Sequence, residues 1–519
     1  MFSKFFKILS YSEENLADAL STRYFSRDNI INNKFHYKFL LEYLGKKTDD
    51  ALKAETVLIE FNYLSRDYLY DFSNYYSLCF SDEYLKKTKR IHFFKTIFTE
   101  QDFLNEYISN SDNFVNNQSY LGYVVVKPLP NVLIGKTLLK TYSDNRTEKN
   151  DETNNGHTRK YTTRSNKVHI FGRELLINSV AFQEQDKTIS ACATCALWSA
   201  FQKTTDLFQT YQPTPFEITN TAKNLFLNTG RNFPNSGLDE FQIGNVINNL
   251  GLVYELRHSD EYLNDNSQCK AFIYSYLKMG IPILLGIEIE DVGYHLITIL
   301  GFKEKKNKVK LKNGLALKSD QIEMFYAHDD QVGPYSRLEF KQNAFKEYIE
   351  TSWWKDIKGK SKHRATIESI FIPLYDKIRI TFDNVHKSIK FINLYLNHIL
   401  TTGNVTWDIY LFKSDSYKES ILLNKHIEDS KKHKLLFKSL PKYIWIAEAT
   451  VNGIKILEFL YDSTDMAHGL YCIGFNCYSE NIKKRIKETE LKNSDFKEFI
   501  TQGLHSKFYD ILFEEVTSE

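Results

Sequence analysis

Proline, glycine and cysteine are all scarce in this 519-residue chain, and each scarcity excludes a class of protein. Nine prolines and 21 glycines are too few for a low-complexity or fibrous protein. Six cysteines are too few for a small secreted domain held together by disulfides. The sequence also lacks any run of 18 apolar residues, so it predicts no membrane-spanning helix.

The chain also has no large excess of positive or negative charge. The chain has 67 lysines and arginines against 65 acidic residues, which gives a formal net charge of +2. This balance argues against a nucleic-acid partner or a strongly anionic membrane surface, because both require a basic face. The first ten residues place lysines inside a short apolar patch without a small-residue cleavage site, a pattern unlike a signal peptide. A reducing, cytoplasmic location is therefore expected.

Apolar material, by contrast, is plentiful. Hydrophobic residues make up 42% of the chain, and a chain of this length is expected to form roughly two to four domains. We expect an N-terminal α/β domain at 1–143, a polar loop or linker at 144–165, a third domain at 166–375 and a C-terminal α/β domain at 376–519.

Alternating or β-branched runs and helical periodicity give a coarse assignment of elements. Strands are predicted at 121–126, 281–289, 294–302, 407–412, 443–449 and 454–460, the second and third being adjacent and antiparallel. Helices are predicted at 63–80, at 191–210, around 243–250 and within 481–513. The C-terminal region carries no motif that indicates chemistry.

The segment that most strongly indicates chemistry begins at Cys192. Leu197, Trp198 and Phe201 recur at helical spacing, and Ser190 is suited to cap the first turn. A cysteine in that turn lies among unpaired backbone N–H groups at the positive end of the helix dipole, which favours the thiolate. The sequence therefore predicts a sulfur nucleophile at Cys192.

Three further positions supply the groups that such a nucleophile requires. Gln185 precedes the cysteine by seven residues and is placed to donate a hydrogen bond to a developing oxyanion. His295 opens one apolar run, and Asp329 closes another. In chain order these residues give an oxyanion donor, a nucleophile, its base and the acid that orients the base.

This order of residues resembles papain-like cysteine peptidases, and looks closest to the bacterial branch that includes the peptidases cutting double-glycine leader peptides. Residues 192–197 are similar to that family's Cys-Gly-Pro-Ala-Ala-Leu helix start. Residues 295–301 resemble its His-x-x-x-x-x-Gly run, and residues 329–333 resemble its Asp-Pro turn with a glycine four residues after the acid. The resemblance covers roughly residues 166–375. Alanine replaces the family's glycine after the cysteine, and Asp330 replaces its proline.

The resemblance implies an α+β fold with a papain-like core, in which the helix carrying the cysteine packs on an antiparallel sheet carrying the histidine and the aspartate. The N- and C-terminal α/β regions would be additions to this core, and either could bind a protein partner. The implied activity is a cysteine peptidase acting on a peptide or protein substrate, without metal or cofactor. A thiol-dependent acyltransferase on the same fold and a non-catalytic interaction protein on a peptidase scaffold stay open.

Two positions within the site have alternatives. Cys195 could be the nucleophile, because residues 192–200 also resemble the papain sequence Cys-Gly-Ser-Cys-Trp-Ala-Phe-Ser-Ala. Against this, Cys195 lies ten residues after Gln185 and one turn into the helix. Asp330 is the alternative to Asp329 as the orienting acid.

The Cys-x-x-Cys spacing of residues 192–195 also suits two unrelated kinds of site. A zinc site would need Cys472 and Cys477 as its second half, far along the chain in a strand-like segment. A thioredoxin-like redox pair would fit the helix start but leave the glutamine, histidine and aspartate unexplained.

Overall fold

The computed structural model describes residues 5–80, 83–142, 157–223, 237–258, 266–305, 315–342, 347–352, 364–399, 405–425, 427–466, 471–492 and 506–517. Helices and strands are mixed along the chain, and the sheets are predominantly antiparallel, so the fold is α+β. The chain divides into two compact units. One comprises residues 1–261, 280–304 and 324–373, and the other comprises residues 262–279, 305–323 and 374–519.

The first unit begins with a five-stranded sheet in the order β1-β2-β3-β4-β5. Its strands are β1 (Phe6–Ser10), β2 (Thr56–Tyr63), β3 (Thr88–Phe94), β4 (Tyr120–Val126) and β5 (Ile134–Leu139). The helices that accompany it are α1 (Glu13–Leu20), α2 (Arg27–Asn33), α3 (Phe35–Leu44), α4 (Arg66–Asn74) and α5 (Glu100–Ser109), with a 3-10 turn at Tyr76–Leu78. Every residue of β4 is buried, as its continuous apolar run predicts.

The second sheet of this unit has eight strands and carries the candidate site. Its strands are β6 (His157–Tyr161), β9 (Leu252–His258), β10 (Ile283–Ile289), β11 (Gly293–Lys305), β13 (Ile322–Asp329), β14 (Gly333–Gln342), β15 (Glu347–Thr351) and β16 (Arg364–Tyr375). Because β10 pairs with β11 on one side and with β16 on the other, six of these strands close on themselves. A separate hairpin is formed by β7 (Arg164–Ile170) and β8 (Arg173–Ser179).

Helices α6 (Cys192–Phe208), α7 (Pro215–Lys223) and α8 (Glu240–Asn249) complete the first unit. The Thr298 hydroxyl of β11 donates to the Ala196 carbonyl of α6 at 2.7 Å, which ties the cysteine-bearing helix to the sheet. One apolar core joins residues of the N-terminal helices, such as Leu16 and Tyr43, to Leu300 and Tyr326 of the second sheet. The N-terminal region therefore shares its core with the strands that carry the site.

The second unit is built on a five-stranded sheet in the order β12-β17-β18-β19-β20. Its strands are β12 (Ala316–Leu317), β17 (Thr406–Lys413), β18 (Tyr443–Val451), β19 (Ile454–Asp462) and β20 (Cys472–Cys477), and only the pairing of β12 with β17 is parallel among those described. Its helices are α9 (Asn266–Leu277), α10 (Phe382–Ile399), α11 (Ser414–Leu423), α12 (Asp429–Phe437), α13 (Glu480–Lys492) and α14 (Ser506–Thr517), with a 3-10 turn at Lys318–Gln321.

The predicted strands at 121–126, 281–289, 294–302, 407–412, 443–449 and 454–460 are confirmed within one to three residues at each start or end. The helix predicted at 63–80 is shorter, since α4 ends at Asn74 and a 3-10 turn follows. The four-part domain division stays a prediction. No helix in the described part of the chain is both long enough and apolar enough to span a membrane.

The linker expected at 144–165 is wrong for its last part. Residues 157–161 form strand β6, which pairs with β11, and Arg164 begins β7. Arg159 explains the difference, because its guanidinium reaches Asp50 at 2.9 Å and the Tyr326 hydroxyl at 3.0 Å. Long-range partners of this kind cannot be recognised in a polar sequence. Residues 143–156 lie outside the described residues.

Candidate active site

Helix α6 begins at the cysteine that the sequence singled out. Cys192 is the first helical residue and is half-buried, whereas residues 193–202, which follow it in the helix, are buried. The cap residue is Ala191 and not the predicted Ser190, whose hydroxyl is buried without a hydrogen-bond partner. The first intrahelical bond is donated by the N–H of Cys195 to the Ala191 carbonyl, so the N–H of Cys192 has no partner within the helix.

The loop before the helix is held by a single carboxylate. Asp186 Oδ1 accepts hydrogen bonds from the backbone N–H groups of Thr188, Ile189 and Ser190 at 2.8–2.9 Å. Its other oxygen accepts from the Tyr76 hydroxyl at 3.0 Å. Asp186 therefore accepts backbone N–H groups as a helix-capping side chain does, but about one turn before the helix begins. The Ser190 side chain does not serve as the cap.

His295 lies just after a tight hairpin turn. Strands β10 and β11 pair with Ile287 opposite His295, and the turn between them uses positive φ angles at Asp291 (62°) and Gly293 (112°). Glycine suits the second position because it has no Cβ to clash there. His295 follows two residues later, and it is buried.

The structure brings together the predicted nucleophile, base and acid. His295 Nε2 lies 2.9 Å from Asp329 Oδ1, and the Cys192 side chain is close enough to the imidazole to help raise its pKa. Because Nε2 faces the carboxylate, Nδ1 is the ring nitrogen left for the sulfur. Asp329 is in turn held by the backbone N–H of Gln331, which donates to the same carboxylate oxygen at 3.1 Å.

Asp330 is a second acid at this site and not a substitute for the first. Its Oδ1 lies 3.4 Å from His295 Nε2, and this oxygen is buried without a hydrogen-bond partner. The other oxygen accepts from the Gln331 side-chain amide at 3.3 Å. Two carboxylates therefore face one imidazole nitrogen, an arrangement that favours the protonated ring.

The pKa values follow from these contacts. Burial by itself would lower the pKa of His295, but the charge and hydrogen bond of Asp329, the hydrogen bond of Cys192 and the charge of Asp330 raise it well above its usual range. Burial, together with the neighbouring Asp329, raises the pKa of Asp330 to about 6, although the charge of His295 opposes the rise. The site therefore stabilises an imidazolium.

Cys195 lies one turn deeper, and its environment is different. It is buried, and Gln183 Nε2 donates to its sulfur at 3.9 Å. Burial, followed by the charge of Asp330, raises the pKa of the Cys195 thiol well above its usual range. Such a thiol stays protonated and unreactive at neutral pH.

The two glutamines of the preceding segment have separate positions. Gln183 is buried against α6, whereas Gln185 is half-buried and makes no hydrogen bond to any other described residue. The predicted oxyanion role of Gln185 therefore stays a prediction. Sequence reasoning missed Gln183, because its contact with Cys195 depends on the pairing of Phe182 with Thr137 that turns its side chain toward the helix.

Sequence reasoning also missed a second buried histidine beside the acids. His36, at the start of α3, donates from Nε2 to the backbone carbonyl of Asp330 at 2.8 Å. Its Nδ1 lies 3.6 Å from Glu184 Oε1, and Glu184 Oε2 accepts from the backbone N–H groups of Leu133 and Ile134, both at 2.9 Å. No local pattern links residues so far apart in the chain.

A third histidine next to the acids is structural. His328 Nε2 donates to the Val180 carbonyl at 3.0 Å, and its Nδ1 accepts from the Tyr335 N–H at 3.1 Å. Burial lowers the pKa of His328 to about 4, so the ring is neutral at physiological pH. Both nitrogens are used by the backbone, and the ring takes no part in proton transfer.

Among the described residues, His295, Asp329 and Asp330 form the group whose donor atoms lie close enough to hold a metal ion, within 4.8 Å of one another. Asp329 Oδ1, however, already accepts from both His295 and the Gln331 N–H. The Cys192 side chain also acts on the imidazole and helps to raise its pKa. The geometry is therefore that of an imidazole between a carboxylate and a thiol.

A pocket of about 690 Å³ lies elsewhere in the first unit and contains none of these residues. It is lined by β2 and β3 residues such as Phe61 and Lys89, whose ammonium donates to the Ala19 carbonyl near the end of α1. The cation therefore completes a helix end and is not directed to a ligand.

No protein-family model matches the chain, and no curated protein matches it. The assignment of the site therefore depends on its geometry alone.

Proposed function

We propose that this protein is a thiol hydrolase of the papain-like kind that cleaves peptide bonds, with Cys192 as nucleophile, His295 as base and Asp329 as the acid that orients the base. The observation that carries the proposal is that Cys192, in the first turn of a helix, acts on the imidazole of His295, whose Nε2 faces Asp329 Oδ1 at 2.9 Å. Nothing in a purely structural role requires a thiol, an imidazole and a carboxylate to meet in this order.

In the proposed reaction, His295 takes the proton of Cys192, and the thiolate attacks the carbonyl carbon of the scissile bond. The new C–S bond gives a tetrahedral oxyanion. The imidazolium then gives its proton to the leaving amine as the C–N bond breaks, which leaves a thioester on Cys192. Water, deprotonated by His295, attacks this thioester and restores the thiol.

The oxyanion requires hydrogen-bond donors that the fold does not already use. The N–H of Cys192 has no intrahelical partner, since the first such bond is donated by Cys195. We propose Gln185 as the side-chain donor, because it is half-buried in the segment that leads to α6 and makes no hydrogen bond to any other described residue. Removing one donor of this kind typically lowers turnover by about a hundredfold or more.

An acyltransferase is the second candidate, since an amine or alcohol can resolve the same thioester. The test begins with a mixture of peptides and mass spectrometry of the intact protein. A thioester adduct that maps to Cys192 and is absent from His295→Gln would support the proposal. Adding a primary amine then separates the two activities, because an acyltransferase yields the amide and a peptidase yields mainly the free acid. If no adduct forms at Cys192 while the protein is folded, the proposed function is wrong.

A further inference from the structure

Helix α3 of the N-terminal region contacts two parts of the candidate site. His36 donates to the carbonyl of Asp330 in the acid-bearing turn, and it faces Glu184 in the segment that leads to Gln185 and Cys192. Both His36 and Glu184 are buried. One side chain thus connects the turn that carries the acids with the segment that precedes the nucleophile.

A second contact from the same helix reinforces the first. Phe39 packs where a Cβ on Gly333 would lie, since an ideal Cβ there would be only 2.2 Å from the Phe39 ring. Gly333 pairs with Asp329 across the turn, at the start of β14. The absence of a side chain at Gly333 therefore lets α3 approach the back of the acid-bearing turn.

The partner of His36 is itself fixed. Glu184 Oε2 accepts the N–H groups of Leu133 and Ile134, and the N–H of Glu184 donates to the Ile134 carbonyl at 3.0 Å. The start of β5 thereby holds Glu184, and Glu184 faces one side of the His36 ring. The ring donates from its other side to the turn, so His36 lies between the turn, which it reaches by a hydrogen bond, and Glu184 of the Cys192 segment, which it faces at 3.6 Å.

We propose that His36 is a positioning residue that holds the Asp329–Asp330 turn against the imidazole of His295, so that the N-terminal region completes the site and is not an accessory domain. The proposal builds on the proposed function, since it concerns the same thiol and imidazole. His36 does not touch the sulfur and acts through the Asp330 peptide. Errors of about 1 Å in such placement typically cost about a hundredfold in rate.

The test compares three substitutions in the full chain. His36→Phe removes both ring nitrogens with little change of size. His36→Gln keeps an N–H near the position of Nε2, and is the conservative variant. His92→Phe is the matched control, because His92 is a buried histidine of β3 that bonds to Tyr120 and Glu60 and makes no contact with the site.

Two readouts are measured on each folded variant. Hydrogen exchange of peptides covering residues 327–335 reports on the turn without any requirement for a reactive thiol. The rate of iodoacetamide alkylation, mapped to Cys192 and followed against pH, reports on the thiolate–imidazolium pair. We expect His36→Phe to speed exchange in the turn and to slow alkylation at mildly acidic pH by about tenfold or more. In His36→Gln, the exchange rate of the turn and the alkylation rate of Cys192 should both stay close to those of the unsubstituted protein. His92→Phe should change neither rate.

Unchanged exchange and unchanged alkylation in His36→Phe would overturn the proposal, as would equal effects in His92→Phe. Failure of the proposed function looks different. In that case Cys192 of the unsubstituted protein reacts no faster than a small-molecule thiol at mildly acidic pH, while faster exchange of the turn in His36→Phe still supports the positioning role. If His36→Phe does not fold, His36→Gln tests the proposal instead. Near-normal hydrogen exchange in the turn and near-normal alkylation of Cys192 in this variant would support the proposal, and their loss would overturn it.

Discussion

Two buried clusters of acids, one in each unit, show opposite ways of placing carboxylates inside a protein. In the second unit, Asp408 of β17 faces Glu448 of β18, which faces Glu458 of β19, and Asn476 of β20 follows in register. This row of acids crosses the sheet. In the first unit, Asp329 and Asp330 face the single imidazole of His295.

The row in the second unit is saturated with partners. Asp408 accepts from Lys278 at 2.8 Å, Lys318 at 3.0 Å and the Tyr274 hydroxyl at 3.0 Å. Glu458 accepts from the residues Tyr417, Asn476, Tyr478 and Lys455. Burial would raise the pKa of Asp408, but Lys278 and Lys318 outweigh it and lower that pKa to about 2.

The two aspartates Asp408 and Asp330 are both buried, and their pKa values move in opposite directions. Asp330 has an oxygen without a hydrogen-bond partner, and its pKa is raised to about 6. A saturated carboxylate stabilises the fold, whereas an under-satisfied one carries a cost that a structural role does not repay. The proposed function accounts for this difference by placing the cluster of the first unit for chemistry, and the following predictions test it.

The largest effect is expected for Cys192→Ala. Loss of the nucleophile should lower turnover of a peptide substrate by on the order of a thousandfold or more, because only oxyanion binding remains. The measurement is turnover normalised to folded protein. Full activity in this variant would show that Cys192 is not the nucleophile.

Asp408→Asn should destabilise the fold. The lowered pKa means that Asp408 contributes stability above the unfolded value near 3.9, and that this contribution is lost as pH falls through about 2. The substitution leaves Lys278 and Lys318 facing a neutral amide, and should lower the free energy of unfolding by about 3 kcal/mol at pH 7. Denaturant titration at pH 7 and pH 3 checks this, with a smaller loss at the lower pH.

The matched substitution Asp330→Asn should do the reverse. A raised pKa means that the folded state binds the Asp330 proton more tightly, so this group's contribution to stability is present below about pH 4 and is lost as pH rises through about 6. Removing the charge should therefore raise the free energy of unfolding by about 3 kcal/mol at pH 8 and change it little at pH 4. Cys192 should also alkylate more slowly at neutral pH, because one charge that favours the imidazolium is gone.

A variant with Asn at position 330 that is less stable than the unsubstituted protein at pH 8 would contradict the comparison. It would mean that Asp330, like Asp408, serves the fold.

The smallest effect is expected for Cys195→Ala. Truncating this buried thiol should cost about 1 kcal/mol in the free energy of unfolding and leave most of the turnover. Its sulfur contacts Gln183 and does not face His295 through any hydrogen bond among the described residues. Turnover and thermal unfolding are measured together. Loss of turnover here beside an active Cys192→Ala would move the nucleophile one turn into the helix.

Features that lie within a single helix, strand or turn could be predicted from the sequence. Most contacts between elements that are distant in the chain could not. The helix at Cys192, the strand at His295 and the turn at Asp329 each carry a local pattern, and the structure brings them together. That Asp330 acts beside Asp329 depends on a turn geometry that spacing does not define. His36 lies 294 residues from the carbonyl that it binds, so no periodicity could indicate it.

The acid row of the second unit was missed for a related reason. Asp408 and Glu448 each look like the solvent-facing position of an alternating strand. The burial of Asp408 depends on Lys278, which comes from α9 and lies 130 residues away in the chain. Polar residues whose partners are distant cannot be separated from surface residues by local pattern alone.

The most direct test of the account is the pH dependence of Cys192 alkylation, compared between the unsubstituted protein and His295→Gln. We expect Cys192 to be alkylated faster in mildly acidic buffer than a small-molecule thiol, because the imidazolium of His295 favours the thiolate as the attacking form. In His295→Gln this faster alkylation of Cys192 in mildly acidic buffer should disappear. An unsubstituted protein whose Cys192 follows the profile of an ordinary thiol, or a profile that His295→Gln leaves unchanged, would contradict the assignment of Cys192 and His295 as a catalytic pair.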